Sequence, residues 1–125
     1  MTYTANIEEE TLNNTNYRKV LYTGKQMQLV VMTLQAGEDI PEEVHEDIDQ
    51  FFRVEEGTAM IRVEDKEHTV THDEVLIVPG GTKHYVKNVG DGQLKLYSIY
   101  TPPEHPDGTV HATKAEADAY EEAHH

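Results

Sequence analysis

The sequence predicts an all-β fold: a barrel of two packed antiparallel sheets with one short C-terminal helix. Three observations carry this. Short β-favouring runs recur along most of the chain, separated by Gly, Pro and Asp turn formers. Several of these runs alternate apolar and polar residues, as a strand with one buried face does. Only the final stretch, Ala115 to Ala123, favours helix. Eight or nine such strands at this spacing suit a sandwich or barrel better than alternating β and α units.

Taken in order, residues 1–16 hold few apolar side chains and an acidic Glu8-Glu9-Glu10 run, and are expected to form a loose arm lying on a neighbouring chain. Residues 17–104 form the barrel and 105–125 a terminal loop and helix. Arg18 to Tyr22 reads as a strand. Gln26 to Gln35 is the longest β run, apolar on both faces and so expected to be buried on both. Gly57 precedes a strand from Thr58 to Glu64, in which Ala59, Ile61 and Val63 share a face. Asp65-Lys66 reads as a tight hairpin returning to Thr71. Val75 to Val78, Thr82 to Asn88 and Gln93 to Thr101 complete the sheets, and Pro102-Pro103 end them. Thr113 to Glu116 has capping-box spacing ahead of the helix.

A length of 125 residues allows one domain with a real core. The absence of cysteine excludes disulfides and thiolate metal sites, so any metal must use histidine with carboxylate or amide oxygen. No apolar run approaches a membrane span or a signal-peptide core, so the chain is expected in the cytoplasm. A formal net charge of -14 argues against nucleic acid as a partner.

Glu43 and His45, two apart in extended chain, share one face, and Val44 takes the other. His84 follows the Pro79-Gly80-Gly81 turn. Two imidazoles and a carboxylate suit one divalent ion of the iron, zinc, manganese or nickel kind, with iron or zinc favoured. Gln50, past the turn-rich Glu46-Asp47-Ile48-Asp49, can add a neutral amide oxygen. Asp49 falls on the opposite face.

These residues resemble the cupins. That family's first motif usually reads G, five residues, H-x-H, three or four residues, E, six residues, G. Here Gly37, Glu43-Val44-His45, Gln50 and Gly57 keep that spacing, with Glu43 in place of the first His and Gln50 in place of Glu. The second motif usually reads G, five residues, P-x-G, two residues, H, three residues, N. Pro79-Gly80-Gly81, His84 and Asn88 match it, and Asp73 replaces its first Gly. The motifs span about a third of the chain. The resemblance implies a double-stranded β-helix, or jelly roll, of the small stand-alone kind described as sugar-phosphate-isomerase-like. It implies metal-dependent chemistry on a small polar molecule, sugar-like or keto-acid-like, by Lewis-acid or oxygenase routes. It equally allows a module that binds such a ligand without turnover, and a homodimer paired through the arm and the Arg18–Tyr22 strand.

Around this centre, Tyr85 or Tyr100 could assist with protons. Phe52 and Met60 could line a pocket. Arg53 could hold an anionic ligand or pair with a nearby Glu. His105 would approach the metal if the last segment folds over the barrel mouth. No basic phosphate clamp is evident. His124 and His125 are left out of the site.

Overall fold

The computed structural model describes residues 2–124. Two antiparallel sheets pack face to face. The larger runs β10-β1-β2-β9-β4-β7 and the smaller β3-β8-β5-β6. In chain order the strands are β1 (Arg18–Thr23), β2 (Gln28–Leu34), β3 (Asp39–Glu43), β4 (Asp49–Glu56), β5 (Ala59–Val63), β6 (Lys66–Val70), β7 (Val75–Val78), β8 (His84–Asn88), β9 (Leu94–Thr101) and β10 (Val110–His111). The helices are α1 (Ile7–Asn13) and α2 (Lys114–Ala123). The all-β jelly-roll reading therefore stands. His125, excluded from the site on sequence, lies outside the described residues.

The core lies between the sheets. Val30, Met32, Leu34, Phe52, Val54, Leu94 and Leu96 project from the larger sheet and meet Ile40, Ala59, Ile61, Val70 and Val86 from the smaller, all buried. The alternation seen in sequence places them there. In β4, for example, Gln50, Phe52 and Val54 are buried, while Phe51 and Arg53 between them are only partly covered. Every large inward residue removes roughly 2 kcal/mol worth of apolar surface from water.

Three expectations need correction. The N-terminal arm is not loose but contains α1, which lies against β2, β4 and β9. Its anchor is polar, which is why an apolar count missed it. Asn14 Nδ2 donates to Thr33 Oγ1 at 3.1 Å, Thr33 Oγ1 donates to the Asn14 carbonyl at 2.7 Å, and Lys95 Nζ donates to that same carbonyl. Asn6 caps the helix by accepting from the Glu9 amide at 3.0 Å, and the acidic first turn suits the helix N-terminus. This helix is the outer cover that lets Val31 and Thr33 of β2 be buried as well as Val30 and Met32. Second, the segment after residue 104 is not only loop and helix. β10 pairs with Arg18 and Lys19, so the start of β1 is no longer an edge free for a second chain. Third, the β5–β6 turn centres on Glu64-Asp65, because Val63 already pairs with Lys66. Glu64 there takes φ 54°.

The motif glycines and their substitutes have local reasons. Gly57 has φ +90°, and a Cβ there would stand 2.5 Å from the Gln93 carbonyl oxygen. Asp73, where the second motif usually has Gly, also adopts positive φ, 69°. Asp is among the few side chains that tolerate this region. Asn88 ties three segments together. Its Nδ2 reaches the carbonyls of Leu34, Gln35 and Gly92 at 3.0, 3.1 and 2.9 Å, and its Oδ1 accepts from the Gly90 amide at 3.0 Å.

Candidate metal centre at the barrel mouth

β3 ends at Glu43 and pairs with β8, where Glu43 is the register partner of His84. The chain then turns through His45, whose carbonyl accepts from the Ile48 and Gly81 amides at 3.4 and 2.9 Å. The two motifs are thus clasped backbone to backbone. Strand register and this turn bring three side chains together as their spacing predicted. Glu43 Oε1 lies 3.4 Å from His45 Nε2 and 4.0 Å from His84 Nε2. One ligand atom from each residue falls within 4.8 Å of the others. Bonds near 2.1 Å to a common ion would set donors roughly 3.0–3.4 Å apart, so a closing shift of about 1 Å completes the cage.

The tautomers follow from the outer partners. His84 Nδ1 lies 3.3 Å from the Thr82 carbonyl, which can only accept, so Nδ1 carries the proton. His45 Nδ1 lies 3.2 Å from Glu104 Oε2. Both arrangements point Nε2 inward, the pattern that orients metal-ligating histidines. Both Nε2 atoms are buried without an aligned hydrogen-bond partner among the described residues, and so is Gln50 Oε1. At 3.4 Å the His45–Glu43 contact is an ion-pair distance without hydrogen-bond alignment. Gln50 spends its Nε2 on Ser98 Oγ at 3.0 Å, which leaves the amide oxygen uncommitted. The two imidazole Nε2 atoms with the Glu43 carboxylate are a donor set that fits a divalent cation.

Without a cation the charges balance differently. Burial acts against a charged His45, but the Glu104 and Glu43 carboxylates on its two nitrogens outweigh it and push its pKa up to about 10. Burial also opposes the Glu43 charge, yet the His45 contact, with Arg18 and His84, holds it below the usual carboxylate range. His84 is lowered, chiefly by burial.

The other sequence candidates divide. Phe52 is fully buried and sets its ring edge-on at 6.1 Å from His84. Tyr100 packs 6.0 Å from the His45 ring. Its hydroxyl lies 3.2 Å from His105 Nε2. His105 is therefore brought beside the centre as a neighbour of Tyr100 and is not among the clustered donors. Burial lowers its pKa to about 4. Three candidates point elsewhere, by strand alternation. Tyr85 follows inward His84, so it faces outward and donates to Asp39 Oδ2 at 2.7 Å. Met60 sits between buried Ala59 and Ile61 on the other face of β5. Arg53 pairs with Asp73 at 2.8 Å and Glu55 at 3.4 Å, the ion-pair alternative. Asp49 accepts from the Gly80 amide at 2.8 Å on the face away from Gln50.

Sequence reasoning missed Glu104, Gln28 and Arg18. Buried Gln28 clamps the segment over the mouth: its Oε1 accepts from the Glu104 and His105 amides at 3.2 and 2.9 Å, and its Nε2 donates to the His105 carbonyl at 2.7 Å. A polar residue in the longest apolar run was the available signal. The mouth opens into a cavity of about 660 Å³ lined by Arg18, Glu43, His45 and Glu104 and by Ala117 and Asp118 of α2. Thr113 caps that helix, accepting from the Glu116 amide at 3.2 Å. Lys114 ties it to Asp39 at 3.3 Å.

A jelly roll with two histidines and a carboxylate converging at its mouth defines a class of small β-barrel proteins with a candidate metal centre. The family model described as Cupin domain matches residues 30–100, and the chain belongs to the cupin family. It is 45% identical over 126 residues to YrkC of Bacillus subtilis, a protein described as uncharacterized, covering 96% of this chain and 68% of YrkC. It is 42% identical over 112 residues to the uncharacterized protein L612 of Acanthamoeba polyphaga mimivirus, covering 86% of this chain and 70% of L612. The crystal structure of BH2720 from Bacillus halodurans superposes with a TM-score of 0.93 at 45% identity, covering 95% of each chain.

Proposed function

We propose that this cupin binds one divalent ion through Glu43, His45 and His84, with Gln50 Oε1 completing the set, and acts there on a small polar molecule admitted through the mouth cavity. The observation that supports this most directly is the pair of buried imidazole Nε2 atoms left without aligned partners beside a carboxylate. Burying His84 Nε2 unsatisfied costs roughly 1–3 kcal/mol, which an ion would reverse, while His45 Nε2 is offset in part by Glu43 at 3.4 Å. When bound, the ion supplies Lewis acidity, or a site for dioxygen if it is iron. The chain's own part is to fix the two histidine tautomers, to hold the Glu43 charge, and to shield the inner wall with Phe52 and Tyr100. Metal content of protein purified without a tag, with zinc titration of His84→Ala alongside, tests this. A full metal complement in His84→Ala would refute it.

One observation favours a second reading, a site that binds its ligand without turnover. Tyr85, one of the two proton carriers suggested by sequence, points away, while Tyr100 and its neighbour His105 do not line the cavity. Turnover under oxygen, or with a panel of aldoses and keto acids, would decide against it.

A further inference from the structure

We infer that the mouth cavity takes a small organic monocarboxylate and that Arg18 is its anchor. Arg18 enters from β1 on the same inward face as Val20 and is only 4% exposed. Its Nε and Nη1 are buried with no hydrogen-bond partner among the described residues. No carboxylate among the described residues comes within ion-pair distance of it. Its nearest aromatic contact is the Tyr17 ring, 5.4 Å from the guanidinium carbon. The Glu43 charge acts on Arg18 without contact, so two guanidinium nitrogens stay buried without an acceptor, a cost that an outside partner would relieve.

The internal candidates are already engaged. Glu43 and Glu104 share the cavity with Arg18, but both are turned to His45, at 3.4 and 3.2 Å. The guanidinium fork matches a carboxylate with two parallel N–H···O bonds. Charge selects the kind of anion. Arg18 is the one lining cation not already held by a carboxylate, since His45 is committed to Glu43 and Glu104; the acids of the lining are Glu42, Glu43, Glu104, Asp118, Glu121 and Glu122. The surrounding acids repel any anion, and a phosphate dianion about twice as strongly as a monocarboxylate, so the fork of Arg18 favours the smaller charge. A molecule held by its carboxylate at Arg18 extends along a wall that also carries Glu43 and His45. The role of its far end rests on the proposed metal site, but the anchor does not.

The test is equilibrium binding to the full chain, by calorimetry and ligand-observed NMR, in chelator-treated and zinc-loaded protein. The probes are pyruvate, glycolate, gluconate and benzoate, with inorganic phosphate and glucose for comparison. At least one monocarboxylate should bind one-to-one, and phosphate and glucose about tenfold more weakly or not at all. Arg18→Gln should weaken the carboxylate about tenfold or more, the worth of a charge-assisted pair. Arg18→Met should abolish binding while keeping or raising the melting temperature, because it replaces an unpaired charge by an apolar side chain of similar length. The inference is overturned if no monocarboxylate saturates either form, if phosphate binds more tightly, if Arg18→Gln binds unchanged, or if Arg18→Met melts well below the parent. Zinc titrated separately keeps the two readings apart: loss of zinc binding alone faults the metal site, and loss of carboxylate binding alone faults Arg18.

Discussion

Glu104 gives the sharpest test of how the barrel mouth sets its metal affinity. Its carboxylate lies 3.2 Å from His45 Nδ1, and its side chain is 32% exposed. An ion on the far nitrogen of that ring would sit about 7 Å from the carboxylate. A unit charge and a dication at that separation interact by roughly 1–2 kcal/mol at an effective dielectric of 40–80, appropriate to a partly solvated group. Glu104→Gln keeps the shape and an accepting oxygen but removes the charge. Zinc affinity should therefore fall about tenfold, within the 10–100-fold range typical of such outer partners.

Proton competition modulates this. In the ion-free protein burial opposes the His45 charge, but Glu104 and Glu43 together push its pKa up to about 10. Removing Glu104 weakens the proton as well as the metal, so the two effects partly cancel at pH 7. The loss should be masked at pH 7 and emerge as pH rises toward about 10, measured by competition with a chromogenic chelator. Glu42→Gln is the control. Glu42 also lines the mouth, but its side chain is 48% exposed and its ion-pair partner is Arg62 at 3.9 Å. Its effect should stay under about twofold. A Glu104→Gln loss that does not grow between pH 7 and about pH 10 would refute the reasoning, as would an equal loss in Glu42→Gln.

Gln50→Glu adds an anionic oxygen of nearly the same shape and should tighten zinc binding about tenfold, whereas Gln50→Ala should weaken it less than Glu43→Gln does; calorimetry checks the order. The ion-free protein should be most stable near neutrality in denaturant melts. The raised His45 pKa gives stability that is fully present below pH 6.5 and lost as pH rises toward about 10, while the lowered His105 pKa gives stability present above pH 6.5 and lost as pH falls toward about 4. Gly57→Ala should destabilise by roughly 2 kcal/mol or more in chemical denaturation, since its Cβ would stand 2.5 Å from a backbone oxygen at φ +90°. We expect a homodimer, now through the exposed β7 edge, where Val75 and Ile77 are 51% and 60% exposed. Ile77→Asp should give monomer by light scattering if that edge is the interface.

The sequence alone determined the strands and most of the centre. Period-two alternation encodes which side chains face inward, so the inward Phe52 and the pairing of Glu43 with His45 across outward Val44 were legible in the residue order itself. The two motif spacings set Glu43, His45 and His84 close because each lies within a few residues of a turn whose geometry Gly and Pro dictate. The same alternation already held the answer for Tyr85, Met60 and Arg53, each one residue away from an inward neighbour.

What only the tertiary structure decided lies at long sequence separation and in polar contacts. Glu104 meets His45 across 59 positions, and Gln28 holds Glu104 and His105 from 76 and 77 positions away. No local pattern encodes such pairings, because they depend on how β1, β2 and the last segment stack at one end of the barrel. The Asn14–Thr33–Lys95 anchor of α1 was invisible for the same reason. A polar side chain reads as surface until the fold buries it and gives it a partner. Arg18 is the extreme case, buried by the fold and left without one.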